Sequence, residues 1–529
     1  MQDVFAYAEF EAFWARFRPE TPFGRHAQAR REVCTDAAEL EALWDRTDAA
    51  LRLLDGADAV RLSRIAHHLK RLPRFPEEPQ ASYDEVELFQ AKKFLHNYKA
   101  LLGLLDAETR NLFSLDYASE AFEVLMDRGR QSAESFYVAD AYSEALAEVR
   151  AELRAADAAL AEARAKRGAE IEAAFGFAFG ARDFLLVPRE RVADRERAER
   201  LLALEPYDET LVLVRPLRGA GEHAAAERRE ALLARERVAE EAVLETLSAA
   251  LREELPRLRQ YREAVTAFDL AFARARLARE AGLVRPVLGE GPLRVEGGRF
   301  VPCEELCGKL GVDYVPLDAA FDAGATVIFG SNMGGKTVVL KTLAFLQLCA
   351  QTGLFVPARR FETRVFRAFH YIGEGRSREE AQGLSGFGFE IRQLAEAWPD
   401  LERGALLLFD EFARTTSSRE AEALISAILE RLVAAEGSLA LFSTHFRGVR
   451  RIPGVSYRRM RGLRREGLDF AEAAGAELAA RIRLIDRRMD YRLAEDEGES
   501  RVSDAVAVAV LLGLEPAVAA RADHFFKDN

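Results

Sequence analysis

The C-terminal half of the chain is predicted to be an α/β domain with a parallel sheet, following an all-α part that carries a long coiled-coil arm. Three continuous apolar runs predict the sheet: Thr326-Val327-Ile328-Phe329, Ala405-Leu406-Leu407-Leu408-Phe409 and Leu439-Ala440-Leu441-Phe442-Ser443. Each is followed or preceded by a stretch long enough for a helix. Strands lose their polar alternation when helices cover both faces of a parallel sheet. The texture of the first third predicts the all-α part, since glycine and proline are sparse there and leucine and alanine recur.

At roughly 100–200 residues per domain, a chain of 529 residues makes about three or four structural units. The expected division is a helical core over 1–140, an arm over 141–285 and the α/β domain over 286–529. In the arm, Leu146, Val149, Leu153 and Leu160 recur at spacings of three, four and seven, which is the seam of one helix packed on another. Leu247, Leu251, Leu255, Leu258, Tyr261, Val265 and Phe268 form a second seam, with Pro256 inside it as an expected kink. Between the seams, Phe184-Leu185-Leu186-Val187-Pro188 and Thr210-Leu211-Val212-Leu213-Val214-Arg215-Pro216 read as short strands. Two long helices therefore leave the body, carry a small β-containing tip at about 181–220, and return.

Composition narrows the function classes. The net charge of −12 weighs against a surface that coats nucleic acid, because phosphate contacts need Lys and Arg. The four cysteines, Cys34, Cys303, Cys307 and Cys349, are too few for a disulfide framework. Cys303 and Cys307 have no second pair at zinc-like spacing, so all four read as reduced thiols of a cytoplasmic chain. The first residues lack the basic start and apolar run of a signal peptide, and no apolar stretch approaches the ~20 residues that span a bilayer.

The chemistry is carried by three motifs. Gly330-Ser331-Asn332-Met333-Gly334-Gly335-Lys336-Thr337 fits G-x-x-x-x-G-K-[ST], with an apolar strand before it and a helix after it. Glycines allow backbone N–H groups to close around phosphate oxygens, and the helix presents its positive end to the same anion. Lys336 should reach the β and γ phosphates of ATP, and the Thr337 hydroxyl should ligate Mg²⁺. Asp410-Glu411 ends the strand 405–409, where Asp410 can hold the Mg²⁺ and Glu411 can orient the attacking water as a base. Ser443-Thr444-His445 ends the next strand. His445 is there either a satisfied residue or a sensor of the γ-phosphate.

In this order the three motifs resemble the ATPase domain of the MutS family. GSNMGGKTVVLKTLAFLQLCAQTGLFVPA (330–358) is similar to its phosphate loop and helix, LLLFDEFARTTSSREAEALISAILERL (406–432) to its acidic strand, and LFSTHF (441–446) to its histidine strand. The resemblance implies an ABC-like P-loop ATPase domain. It also implies that Tyr314, in Asp313-Tyr314-Val315-Pro316, stacks on adenine. Ser385, in Leu384-Ser385-Gly386-Phe387, would meet the nucleotide of a partner subunit. Thr21-Pro22-Phe23-Gly24-Arg25 resembles the start of the family's helical core, residues 227–286 the helix returning from its clamp, and residues 503–522 its dimer-forming helices.

The resemblance implies a homodimer with composite ATP sites, whose arms open and close on a substrate. It is strong over 313–449 and weak over 1–300. The family's mismatch-reading and connector domains are expected to be absent, because the core begins near residue 20. Ala413 and Thr415 stand where the family usually has glycines, and Ser-Gly-Phe replaces Ser-Thr-Phe. Two substrates are open: DNA, as in repair, or a protein partner. The second follows a truncated MutS-like group associated with reactivating the B12-dependent lysine 5,6-aminomutase. Tip arginines Arg189, Arg191, Arg195, Arg197, Arg215 and Arg218 are interleaved with acids, so charge alone does not choose.

Overall fold

The computed structural model describes residues 2–129, 135–180, 183–322, 324–331, 334–374, 385–435, 437–465, 477–498 and 504–528. The chain forms two compact units. One comprises Met1–Ser63, Ala107–Phe113 and Thr266–Asn529; the other comprises Arg64–Asp106 and Ser114–Val265.

In the first unit the three apolar runs are strands, Ala325–Phe329, Ala405–Asp410 and Leu439–Thr444. They lie side by side, with Leu439–Thr444 between the other two. Nearly every residue in them is buried, as continuous apolar character requires. Alternate residues divide between two cores. Ile328, Leu406, Leu408 and Leu441 join Leu340, Leu343 and Phe345 of the helix Lys336–Gln351. Val327, Leu407, Phe409 and Phe442 join Ile425 and Leu429 of the helix Ser418–Val433. The N-terminal segment packs in the first of these cores through Val4, Phe10, Phe13 and Trp14.

Three further strands complete this sheet. Ala368–Gly373 pairs parallel with Ala405–Asp410, and Val455–Leu463 pairs parallel with Ala325–Phe329. The edge strand Met489–Glu495 runs antiparallel, so the expected parallel sheet is mixed at that edge. A second, four-stranded sheet holds Val287–Leu288, Arg360–Thr363, Leu293–Gly298 and Leu317–Phe321. The segment Thr21-Pro22 opens the helix Pro22–Ala29: the Thr21 hydroxyl accepts from Gly24 N at 2.8 Å and donates to buried Asp269 at 2.7 Å.

The second unit contains the helix Glu144–Phe175 and most of the 62-residue helix Ala220–Ala281, which runs past Pro256 without ending. Arg150 pairs with Glu236 and Glu240, Arg235 with Glu152, Arg229 with Asp157 and Arg164 with Glu222. Numbers rising on one helix as they fall on the other make the pair antiparallel. The tip is a three-stranded antiparallel sheet. Leu185–Pro188 and Leu211–Pro216 match the expected strands, and Leu202–Pro206 joins them. Ile171, Val187, Ala198, Leu202, Val212 and Val214 form its small core. Among the described residues, no helix is long and apolar enough to cross a membrane.

Candidate functional site

Strand Ala325–Phe329 delivers the chain into Gly330 and Ser331, and the helix starts at Lys336. Asn332 and Met333 lie outside the described residues. Gly334 N donates to Ser331 O at 2.9 Å and closes the loop. Gly335 has φ +88°, a conformation that side chains rarely adopt. A Cβ at Gly335 would stand 3.0 Å from the Tyr491 ring, and one at Gly330 would stand 3.0 Å from Met460. Gly335, at the helix N-cap, offers no side-chain cap. Among the described residues, the first-turn N–H groups of this 16-residue helix remain for an outside acceptor, an arrangement that suits an anion.

The Lys336 ammonium is 3% exposed and donates to the carbonyl oxygens of Gly330 and Ser331, both at 2.9 Å. Its Nζ lies 3.4 Å from Glu411 Oε1. Burial lowers its pKa, against the pull of Glu411 and Asp410. A buried cation of this kind gains from a further anion at the loop.

One residue on, the Thr337 hydroxyl donates to Asp410 Oδ1 at 3.0 Å. Ser443 donates to the same oxygen at 2.6 Å. The Tyr7 hydroxyl donates to the other oxygen, Oδ2, at 3.2 Å. Glu411 follows with φ +52° and Ala413 with φ +61°. The turn thus adopts a left-handed backbone twice without glycine, at about 1–2 kcal/mol each. Its N–H groups hold it: Glu411 N donates to Ser443 Oγ and O at 3.1 Å, and Ala413 N to Glu390 Oε2 at 2.8 Å. Arg414 NH1 is 3.6 Å from Glu411 Oε2.

His445 follows the strand Leu439–Thr444 and is exposed. Burial of part of its ring lowers its pKa; Lys336 and Arg414 lower it further and Glu411 opposes them. Its imidazole is neutral at pH 7 and within electrostatic reach of both Lys336 and Glu411. Ser385 caps the helix Gly386–Ala397 by accepting from Gly388 N at 3.2 Å, and it is exposed. That helix is fastened to the acidic turn through Glu390. Tyr314 is half-buried, and its hydroxyl accepts from Phe300 N at 2.8 Å. Burial pushes its phenol up to about 12, and a bond with Thr342 ties it to the helix Lys336–Gln351.

The structure therefore gathers Gly330, Ser331, Gly334, Gly335, Lys336, Thr337, Asp410, Glu411 and His445 at the C-terminal ends of neighbouring parallel strands. This is where α/β sheets bind ligands. Sequence reading missed Ser443 as a partner of Asp410, Met460 and Tyr491 against the glycines, and Tyr7. Ser443 was legible inside Ser-Thr-His; the other three come from distant segments without a motif. The donor set fits Mg²⁺ and a phosphate chain: a hydroxyl beside a carboxylate for a hard cation, and a cation with free N–H groups for the anion.

Residues 326–525 match the domain family described as MutS domain V. Over these residues the chain is similar to the MutS family. It is 32% identical over 316 residues to the DNA mismatch repair protein MutS of Anaeromyxobacter dehalogenans (strain 2CP-C), covering 58% of this chain and 33% of that one. It is 38% identical over 216 residues to the endonuclease MutS2 of Thermomicrobium roseum, covering 39% and 27%. A third relative, the DNA mismatch repair protein MutS of Sorangium cellulosum, is 32% identical over 292 residues, covering 54% and 29%. The matched stretch thus spans about a third of these relatives or less.

Proposed function

We propose that this chain binds ATP with Mg²⁺ and hydrolyses it. The observation that carries the reading is the 3.0 Å bond from Thr337 to Asp410, which joins an uncapped helix N-terminus to a strand-end carboxylate beside buried Lys336. Gly330, Ser331, Asn332, Met333, Gly334 and Gly335 form the phosphate cradle, and Lys336 neutralises the phosphates. Thr337 and Asp410 hold the Mg²⁺, which neutralises phosphate charge when bound. Glu411 orients the attacking water and takes its proton. Its fixed left-handed backbone and its two cationic neighbours hold the carboxylate in one place. His445 stays neutral and senses the γ-phosphate end. Tyr314 stacks on adenine, and Ser385 completes the site of a second subunit in a homodimer.

Glu411→Gln tests this directly. Nucleotide binding should persist while hydrolysis falls by about 10²–10⁴-fold, the usual contribution of a positioned base. Unchanged turnover would remove Glu411 from that role.

For the substrate, the names of the relatives favour DNA, gripped by the helix pair as a coiled-coil clamp that ATP opens and closes. One observation favours a protein partner instead, such as a B12-dependent aminomutase to be reactivated. Three of the six tip arginines bond within the arm: Arg189 and Arg191 donate to the carbonyls of Asp208 and Gly176, and Arg215 lies 3.9 Å from Glu205. Duplex binding rests on free cations and weakens steeply with salt. Salt-dependent binding of duplex or branched DNA with ATP would support the clamp; no binding at low salt would exclude it.

A further inference from the structure

Tyr7 is 403 positions from Asp410 in sequence, yet its hydroxyl bonds that carboxylate. It closes the helix Gln2–Tyr7, which packs on the strand Ala368–Gly373. Its ring stacks on Tyr371 of that strand, with centroids 4.2 Å apart and planes 24° apart. The side chain is almost fully buried, at 5% exposure. Asp410 is consequently held at both oxygens: Oδ2 by Tyr7, and Oδ1 by Thr337 and Ser443. Three hydroxyls leave the carboxylate a single orientation.

Two residues on, Glu9 adopts φ +50°, a strained state that persists only where its surroundings over-determine it. Its carboxylate pairs with Lys341 at 2.5 Å. Lys341 lies one turn beyond Thr337 on the phosphate-loop helix, and its Nζ stands 5.6 Å from the centre of the Tyr7 ring. Phe10 and Phe13 then meet Phe345 of the same helix edge-on, at 5.6 and 5.1 Å. The N-terminal segment is thus fastened to the helix Lys336–Gln351 and to Asp410, two parts of the site, and to the neighbouring strand Ala368–Gly373. Packing alone would be served by phenylalanine at position 7. A buried hydroxyl costs free energy unless it is bonded, and here its partner is the carboxylate assigned to the cation.

We infer that Tyr7 is a positioning residue for the metal-holding carboxylate, its hydroxyl fixing Asp410 and tying the N-terminal segment to the nucleotide site. This rests on the Mg–ATP reading above. Loss of the tie frees Asp410 to rotate and weakens the hold on Mg²⁺ without weakening the phosphate cradle.

Tyr7→Phe keeps the ring on Tyr371 and removes only the hydroxyl. Binding of a fluorescent ATP analogue should be unchanged in EDTA. The Mg²⁺ concentration giving half of the Mg²⁺-dependent gain in affinity should rise about ten-fold, as when an outer-shell partner is removed. An unchanged Mg²⁺ requirement, or equal weakening with and without Mg²⁺, would overturn the proposal. A second readout needs neither metal nor nucleotide. Asp410→Ala should speed amide hydrogen exchange in residues 4–8 of the free protein, whereas His445→Ala should not. Unchanged exchange in Asp410→Ala removes the tie. If the wild-type chain binds no nucleotide, the Mg–ATP reading falls by itself, and the exchange experiment still decides whether Tyr7 and Asp410 are coupled.

Discussion

In the unit built on the six-stranded sheet, charged side chains converge and are buried. Lys336 is 3% exposed, Glu411 16%, and both face one loop. In the unit that holds the paired helices, most charges are spread along the surface in exposed pairs, with Arg150 the exception in meeting three acids. Arg229 with Asp157 and Arg235 with Glu152 are each more than two-fifths exposed on both sides. Taking charge out of water costs several kcal/mol per ion, so a cluster of buried charges is a poor way to gain stability and a common sign of chemistry. Exposed pairs contribute little either way. The contrast explains why the proposed reaction is placed in one unit while the other leaves its substrate open.

Graded substitutions sharpen this contrast. The largest stability effect in the helix pair should come from Arg150→Ala. Its side chain is 20% exposed and meets Asp140, Glu236 and Glu240 together, with a further bond to Val138 O. A loss of about 1–2 kcal/mol is expected on denaturant unfolding, with ATP turnover unchanged. A large fall in turnover would show that this junction couples to the reaction. Arg229→Ala, on an exposed pair, should cost below about 0.5 kcal/mol, and an effect equal to that of Arg150→Ala would break the distinction between partly buried and exposed pairs. Ser385→Ala removes an exposed helix cap worth about 1 kcal/mol at most in this setting. Its effect on turnover should appear only in the proposed dimer, and an equal loss in an isolated subunit contradicts a role across that interface.

How much was legible in advance follows from the same physics. Strands 325–329, 405–410 and 439–444 announce themselves because burial on both faces leaves nothing but apolar residues. Val455–Leu463 and Met489–Glu495 lie toward the edge of the sheet and carry arginines and acids among their apolar residues. No apolar run marks them, and so Met460 and Tyr491 escaped notice beside the glycines. Leu202–Pro206 follows the helix Arg195–Leu201 with no intervening turn residue, which hides the third strand of the tip. After the acidic pair, Ala413 and Thr415 stand where the resemblance implies glycines. The backbone nonetheless takes the left-handed conformation at Glu411 and Ala413, held by Ser443 and Glu390. Tyr7 had no signal at all, since its meaning lies in a bond across 403 positions.

The central claim is that buried Lys336 awaits a phosphate chain at this loop. The most direct measurement is the affinity of the wild-type chain and of Lys336→Ala for a fluorescent ATP analogue, with each variant's fold checked by its melting curve. Two charge-assisted hydrogen bonds of about 1.5–3 kcal/mol each predict that the substitution weakens binding by about a hundred-fold or more. Wild-type affinity in folded Lys336→Ala would contradict the account.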